Sequence, residues 1–316
     1  MKTKLIKNIL IASGYIKQGN VAAFPTETVY GLGANVFDEN AVKEIFKVKG
    51  RPADNPMIVH VNSKSQIKIL SREITPSAKK IIDKFFPGAV TVVLKKNEII
   101  SDIVTAGLDT IAIRMPSSKI ARKFINACGV PIAAPSANLS GSPSPTSYHH
   151  VLNDFKGKIP CILIGPNAKH GIESTVVDCS VEPPVILRPG VVTFEQLRKV
   201  VKDIRVASRN TKTKSPGMSY KHYAPKGKVQ TITNYELRIT NVTKHSAFIG
   251  ITKIPDELKK KFKEFKICKS IEDYAKNLFS FFRECDEKEI KIIYAEKVSE
   301  KGIGMAIMNR LRKASL

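Results

Sequence analysis

Up to Ala207 the chain alternates short β-branched runs with helix-spaced apolar runs, irregularly, and that rhythm limits its possible folds more than any other feature. Val21–Phe24, Met57–Val61, Ala89–Lys95, Thr110–Met115 and Val130–Ala134 read as strands, followed by Cys161–Ile164, Thr175–Asp178 and Val185–Leu187. Helical spacing marks Thr3–Lys17, Ala41–Val48, Lys119–Cys128, Tyr148–Phe155 and Phe194–Val201, and a further helix runs from the caps Thr75 and Ser77 through Phe86. Several strands follow one another directly. That order predicts an α/β fold with a twisted mixed sheet and flanking helices rather than a purely doubly wound one.

The pattern breaks at Ser208–Lys228, which has almost no apolar periodicity. We read 1–207 as one domain, 208–228 as a linker, and 229–316 as a smaller α/β domain. In the latter, strands at Val229–Ile232, Ser246–Ile251, Phe265–Cys268 and Lys291–Ala295 with helices at Ile271–Cys285 and Gly304–Lys313 predict a mainly parallel, Rossmann-like sheet. Met218, Tyr220, His222 and Tyr223 are unusual in a spacer and point to a segment that docks on something.

Lys and Arg total 52 against 28 Asp and Glu, a net charge of +24 that attracts nucleic acid, nucleotides or phosphates. The five cysteines (Cys128, Cys161, Cys179, Cys268, Cys285) contain no C-x-x-C, which argues against a zinc site or a disulfide framework and fits a reducing, cytoplasmic setting. No apolar run approaches the ~18–20 residues of a membrane span. Gly31-Leu32-Gly33 lacks the third glycine of a dinucleotide fingerprint, and P-loop, nucleophile-elbow and H-E-x-x-H patterns are absent.

Polar loops at strand ends remain. Thr26-Glu27-Thr28 follows the first strand, and Lys49-Gly50-Arg51 with Asp54-Asn55-Pro56 precedes the second. Arg114 lies near a strand end, Ser136 and Asn138 follow another, Glu173-Ser174-Thr175 opens one, and Arg188-Pro189-Gly190 closes one. Loops on one sheet edge converge, and this set offers donors for phosphate oxygens without an obvious general base. Phosphoryl or nucleotidyl chemistry, driven by positioning and charge, is the expectation, with Lys49 and Arg51 as candidate catalytic cations.

Together these runs resemble the YrdC-like family in the two-domain form of the threonylcarbamoyl-AMP synthases. The resemblance rests on P-T-E-T-V-Y-G-L-G (Pro25–Gly33), K-x-R (Lys49–Arg51) with D-N-P, S-A-N (Ser136–Asn138), E-S-T-V-V (Glu173–Val177), L-R-P-G (Leu187–Gly190) and the linker S-P-G-M-S-Y-K-H-Y-A-P. It implies that L-threonine and bicarbonate form a carbamate whose carboxylate attacks the α-phosphate of ATP. The products are threonylcarbamoyl-AMP and pyrophosphate, the first step of the threonylcarbamoyladenosine modification of tRNA, completed by a partner transferase complex.

The resemblance assigns Thr28, His60, Arg114, Ala134 and Ser174 to threonine, and Arg51, Asn55, Thr110, Ser136, Asn138, Ser144 and Arg188 to ATP. Tyr220, His222 and Tyr223 would close over the nucleotide. No metal ligand is expected from the protein, and Mg²⁺ is expected on the ATP phosphates. The rival reading is an RNA- or nucleotide-binding protein with a basic cleft and no synthase activity; weak tRNA binding is compatible with either. A carbamoyl-transfer maturation factor is a second rival, but it would carry acylphosphatase and Cys-rich modules that this chain lacks.

Overall fold

The computed structural model describes residues 1–208, 223–233, 236 and 242–316. Among them, strands β1 (Lys4–Ile6), β2 (Ala22–Phe24), β3 (Gly31–Asn35), β4 (Ile58–His60), β5 (Val90–Lys95) and β6 (Thr110–Arg114) join β7 (Ile132–Ala133), β8 (Cys161–Leu163), β9 (Thr175–Asp178), β10 (Val185–Arg188) and β11 (Arg205–Val206). They form an 11-stranded sheet ordered β1-β8-β2-β3-β7-β4-β6-β5-β9-β10-β11. It is mixed: β4 and β6 pair parallel, as do β5 and β9, whereas β5–β6 and β9–β10 are antiparallel.

Side chains alternate across the sheet, and the two faces are covered differently. On one face Ala23, Val59, Ile111, Ile113 and Val177 enter a large core with residues of helices Glu39–Lys49, Lys64–Leu70, Pro76–Phe85 and Tyr148–Phe155. On the other, helices Ile9–Lys17 and Lys119–Cys128 pack on Ala22, Phe24, Ile132 and Leu163. That cover stops short of β4–β10. There Ile58, Val93, Ala112, Val176 and Leu187 make a small apolar strip to which no described helix contributes. The candidate site residues His60 and Arg114 sit on this uncovered half.

The second unit has β12 (Lys228–Ile232), β13 (Ser246–Gly250), β14 (Glu264–Ile267) and β15 (Ile292–Glu296), all parallel in the order β12-β15-β13-β14. Helices Ile271–Glu287 and Gly304–Ala314 bury one side. That core also takes in Val29 and Ile172 of the first unit, so one apolar cluster spans both.

Two local expectations are corrected. The first helix starts at Ile9, not Thr3: Asn8 accepts from the N–H groups of Leu10 and Ile11 at 2.9 and 3.2 Å, and the residues before it pair parallel with β8. Asn8 is the helix start signal that apolar spacing alone passed over. Gly31-Leu32-Gly33, considered from sequence only as part of a dinucleotide fingerprint, is strand, antiparallel to β2. Its glycines reflect packing: a Cβ on Gly33 would stand 2.5 Å from Ile132 Cγ2 and 2.9 Å from Phe24 Cε1. Helix Lys64–Leu70 and strand β11 were missed, both short.

Gly33→Ala should therefore destabilise the fold by about 1–3 kcal/mol through overpacking, read from urea unfolding. A change below about 0.5 kcal/mol, the scatter of neutral surface substitutions, would contradict this close approach.

Candidate active site

The two middle strands β4 and β6 set the site's frame. Ile58 pairs with Ala112 and His60 with Arg114, so His60 and Arg114 lie side by side on the uncovered face. Period-two alternation places Thr110 on that face as well, and the same register sets it level with Pro56 at the other end of β4. A cleft opens here. Its lining includes Thr28, Arg51, His60, Arg114, Ala134, Ser136, Asn138, Ser174, Arg188 and Tyr223.

At the His60 end the geometry is tightly specified. Arg114 donates Nη2 to Glu27 Oε1 at 2.6 Å, Nη1 to Thr28 Oγ1 at 2.7 Å, and Nε to the Gly88 carbonyl at 3.3 Å. The other Glu27 oxygen accepts from the Ser118 N–H at 3.2 Å. Burial alone would raise the Glu27 pKa, but Arg114 and the backbone donors hold it at about 2. Thr26 Oγ1 donates to the Val29 carbonyl at 2.6 Å and accepts from the Thr28 and Val29 N–H groups, which fixes the loop carrying Thr28. His60 is buried edge-on to Phe24, ring centroids 5.7 Å apart. Burial, followed by the Arg114 charge, pushes its pKa down to about 3, so the imidazole is neutral at neutral pH.

At the other end the cations are Arg51 and Arg188. Helix Glu39–Lys49 ends on Gly50 in the left-handed conformation, which turns the chain toward the cleft. Arg51 Nη2 then donates to the carbonyls of Asn55 and Pro56 at 3.1 and 3.0 Å. Burial lowers its pKa to about 10, still cationic. Arg188 donates Nη2 to the Ser174 carbonyl at 3.0 Å. Gly190 follows because a Cβ there would lie 2.4 Å from the Ser174–Thr175 peptide. Among the described residues, Arg51 Nε, Arg188 Nε and Asn138 Oδ1 of the cleft lining are buried without a hydrogen-bond partner, as is Asn55 Oδ1 off that lining. Orphaned polar atoms clustered along one cleft mark a place for a polar ligand.

Lys49 takes a different position from its neighbour. Its Nζ donates to the Ser136 carbonyl at 2.6 Å and to the Asn138 carbonyl. It is buried and absent from the cleft lining, so it anchors the Ser136–Asn138 loop from behind. Burial, then Arg51, lowers its pKa well below the usual lysine value. Asn55, Thr110 and Ser144 also lie off the lining. Ser144 is fully buried and donates to Glu173 Oε1 at 2.5 Å. Tyr223 stacks on Phe279, centroids 5.2 Å apart, while Tyr220 and His222 lie outside the described residues.

Sequence reasoning left Glu27 and Glu173 without a role, although both stand inside quoted motifs. It also missed Arg283 and Arg310 of the second unit, which contact the first, Arg283 at Asp154 and the Pro143 carbonyl and Arg310 at Glu173 of the cleft lining. The signal for Arg310 was a cation on the apolar stripe of its helix, among Ile307, Leu311 and Ala314.

Residues 14–190 match the family model described as "Telomere recombination" (Sua5/YciO/YrdC), and residues 192–315 match "Threonylcarbamoyl-AMP synthase, C-terminal domain". A Pyrococcus abyssi protein named threonylcarbamoyl-AMP synthase is 47% identical over 97% of this chain and 94% of its own. One of the same name from Bacillus subtilis is 41% identical over 96% and 92%. The crystal structure of P. abyssi Sua5 complexed with L-threonine superposes with a TM-score of 0.88 at 43% identity, covering 99% of this chain and 97% of that one.

The buried imidazole has a measurable consequence. Its folded pKa of about 3 lies below the unfolded value, so below pH ~6.5 the unfolded chain gains a proton that the folded chain refuses. Stability is lost as pH falls from there toward 3. The advantage of wild type over His60→Gln should shrink by about 2 kcal/mol between pH 7 and pH 5 in urea titrations. A gap independent of pH would mean that the His60 pKa is the same in the folded and unfolded chain, and a gap that widens on acidification would mean that His60 is protonated in the fold.

Proposed function

The chain belongs to the Sua5 family of two-domain threonylcarbamoyl-AMP synthases, and we propose that its cleft joins L-threonine, bicarbonate and ATP into threonylcarbamoyl-AMP and pyrophosphate by nucleotidyl transfer. The observation that carries this reading is the division of one cleft into two chemically different ends. The Arg114–Glu27–Thr28 cluster beside a neutral His60 suits an amino acid. The Arg51 and Arg188 Nε donors, unpartnered among the described residues, suit phosphates.

Threonine binds with its carboxylate toward Arg114 and Thr28, and with its side chain and amine among His60, Ala134 and Ser174. Its amine adds to bicarbonate with loss of water. One carboxylate oxygen of the carbamate then attacks the ATP α-phosphorus, and the bond to pyrophosphate breaks. Arg51 and Arg188 offset charge on the phosphorus centre and the leaving group, the kind of preorganised stabilisation that dominates such displacements. Ser136, Asn138, Asn55, Thr110 and Tyr223 complete the nucleotide end. Lys49 and Ser144 act as positioning residues, through the carbonyls and the carboxylate they hold.

Mg²⁺ would neutralise phosphate charge when bound. Glu27 and Glu173 are each engaged by an arginine, so the ion would be held mainly by ATP oxygens rather than by the protein. The product would pass to a tRNA-modifying transferase. The division at 207 and 229, with 208–228 closing the nucleotide end, belongs to the same proposal.

Arg51→Ala should lower turnover by about 10²-fold, or 2–3 kcal/mol in the chemical step. The check is pyrophosphate release with ATP, Mg²⁺, bicarbonate and each amino acid in turn. Release that ignores threonine and bicarbonate, alongside tight salt-sensitive RNA binding, would favour the RNA-binding reading.

A further inference from the structure

Arg310 belongs to the second unit yet is wholly buried against the first. Its Nε donates to Glu173 Oε2 at 2.9 Å and its Nη1 to the Pro189 carbonyl at 2.7 Å. Its guanidinium carbon stands 5.3 Å from the centre of the Tyr223 ring, a cleft wall. Glu173 is thus ion-paired with Arg310, and Arg188, held on the carbonyl of the next residue, Ser174, also acts on its charge. Burial would raise its pKa, but Arg310 first and Arg188 second keep it below the usual carboxylate value.

The charge count is the decisive point. With Arg310 and Glu173 paired, Arg188 is a net positive charge at the phosphate end. Without Arg310, the buried carboxylate would draw on the cations left around it, Arg188 first, with Lys313 the other, because leaving it unpaired is costly. The cation meant for the ligand would then be consumed inside the protein.

We propose that Arg310 is a positioning residue for ATP: by neutralising Glu173 from the second unit, it leaves Arg188 free to receive the nucleotide phosphates. The inference rests on the reading that ATP occupies the Arg51–Arg188 end. It gives the C-terminal unit a direct part in substrate affinity. It also separates the two substrates, since the Arg114 end has its own carboxylate partner in Glu27.

The test is calorimetric titration of the full chain with Mg²⁺-ATP alone and with L-threonine alone. Arg310→Met should weaken ATP binding by about tenfold or more and leave the threonine Kd within about twofold. Arg310→Met combined with Glu173→Gln removes both charges and should bring ATP affinity back to within about threefold of wild type. A purely structural bolt between the units predicts the opposite, with the double variant as weak as the single one or weaker, and that result overturns the proposal. So does an unchanged ATP Kd in Arg310→Met. Should the single variant not fold, the double variant decides, because ATP binding tenfold weaker than wild type refutes the charge balance. Wild-type protein that binds no ATP would sink the reading of the cleft itself, an outcome distinct from normal wild-type binding with an indifferent Arg310.

Discussion

Burying a cation is among the most costly things a fold can do, and this one does it repeatedly around a single cleft. Lys49, Arg114, Arg188, Arg283 and Arg310 are all buried. Each is compensated in its own way. Lys49 is met by carbonyls, Arg114 by Glu27, Arg188 by the Ser174 carbonyl, Arg283 by Asp154 and the Pro143 carbonyl, and Arg310 by Glu173. The loops of the site take the shapes that bring those acceptors into place. Loop order and charge compensation are therefore one problem solved together, and removing a partner disturbs shape as well as field.

The framework was legible wherever local physics is strong. Helices Lys119–Cys128 and Tyr148–Phe155 and strand Thr175–Asp178 appear with the boundaries that spacing predicts, because apolar periodicity and serine caps agree there. The all-parallel second sheet was equally readable from its alternating elements. The convergence of polar loops on one sheet edge could be argued from chain order alone. The edge strand β1 could not, because three residues owe their conformation entirely to a partner about 157 positions away in register.

The site was legible by residue type but not by direction. K-x-R presents two cations one residue apart, and only the turn at Gly50 separates them, sending Arg51 to the cleft and Lys49 under the neighbouring loop. Sequence spacing holds no information about that parting. Arg283 and Arg310 were hidden for another reason. On their own helices they look like interruptions of an apolar face, and their meaning comes from Asp154 and Glu173, which lie over a hundred residues earlier.

Val29 lies in the loop that carries Thr28, yet it packs in the apolar core of the second unit beside Ile172 and Phe279. A wall of the cleft is thus seated in a neighbour's interior. The two units cannot drift apart in sequence independently, since a change in the volume of that interior moves a residue that lines the cleft. Exchanging C-terminal units between relatives would transplant part of the active site along with them, and success would depend on matching side-chain volumes around Val29 rather than on joining the chain at a convenient place.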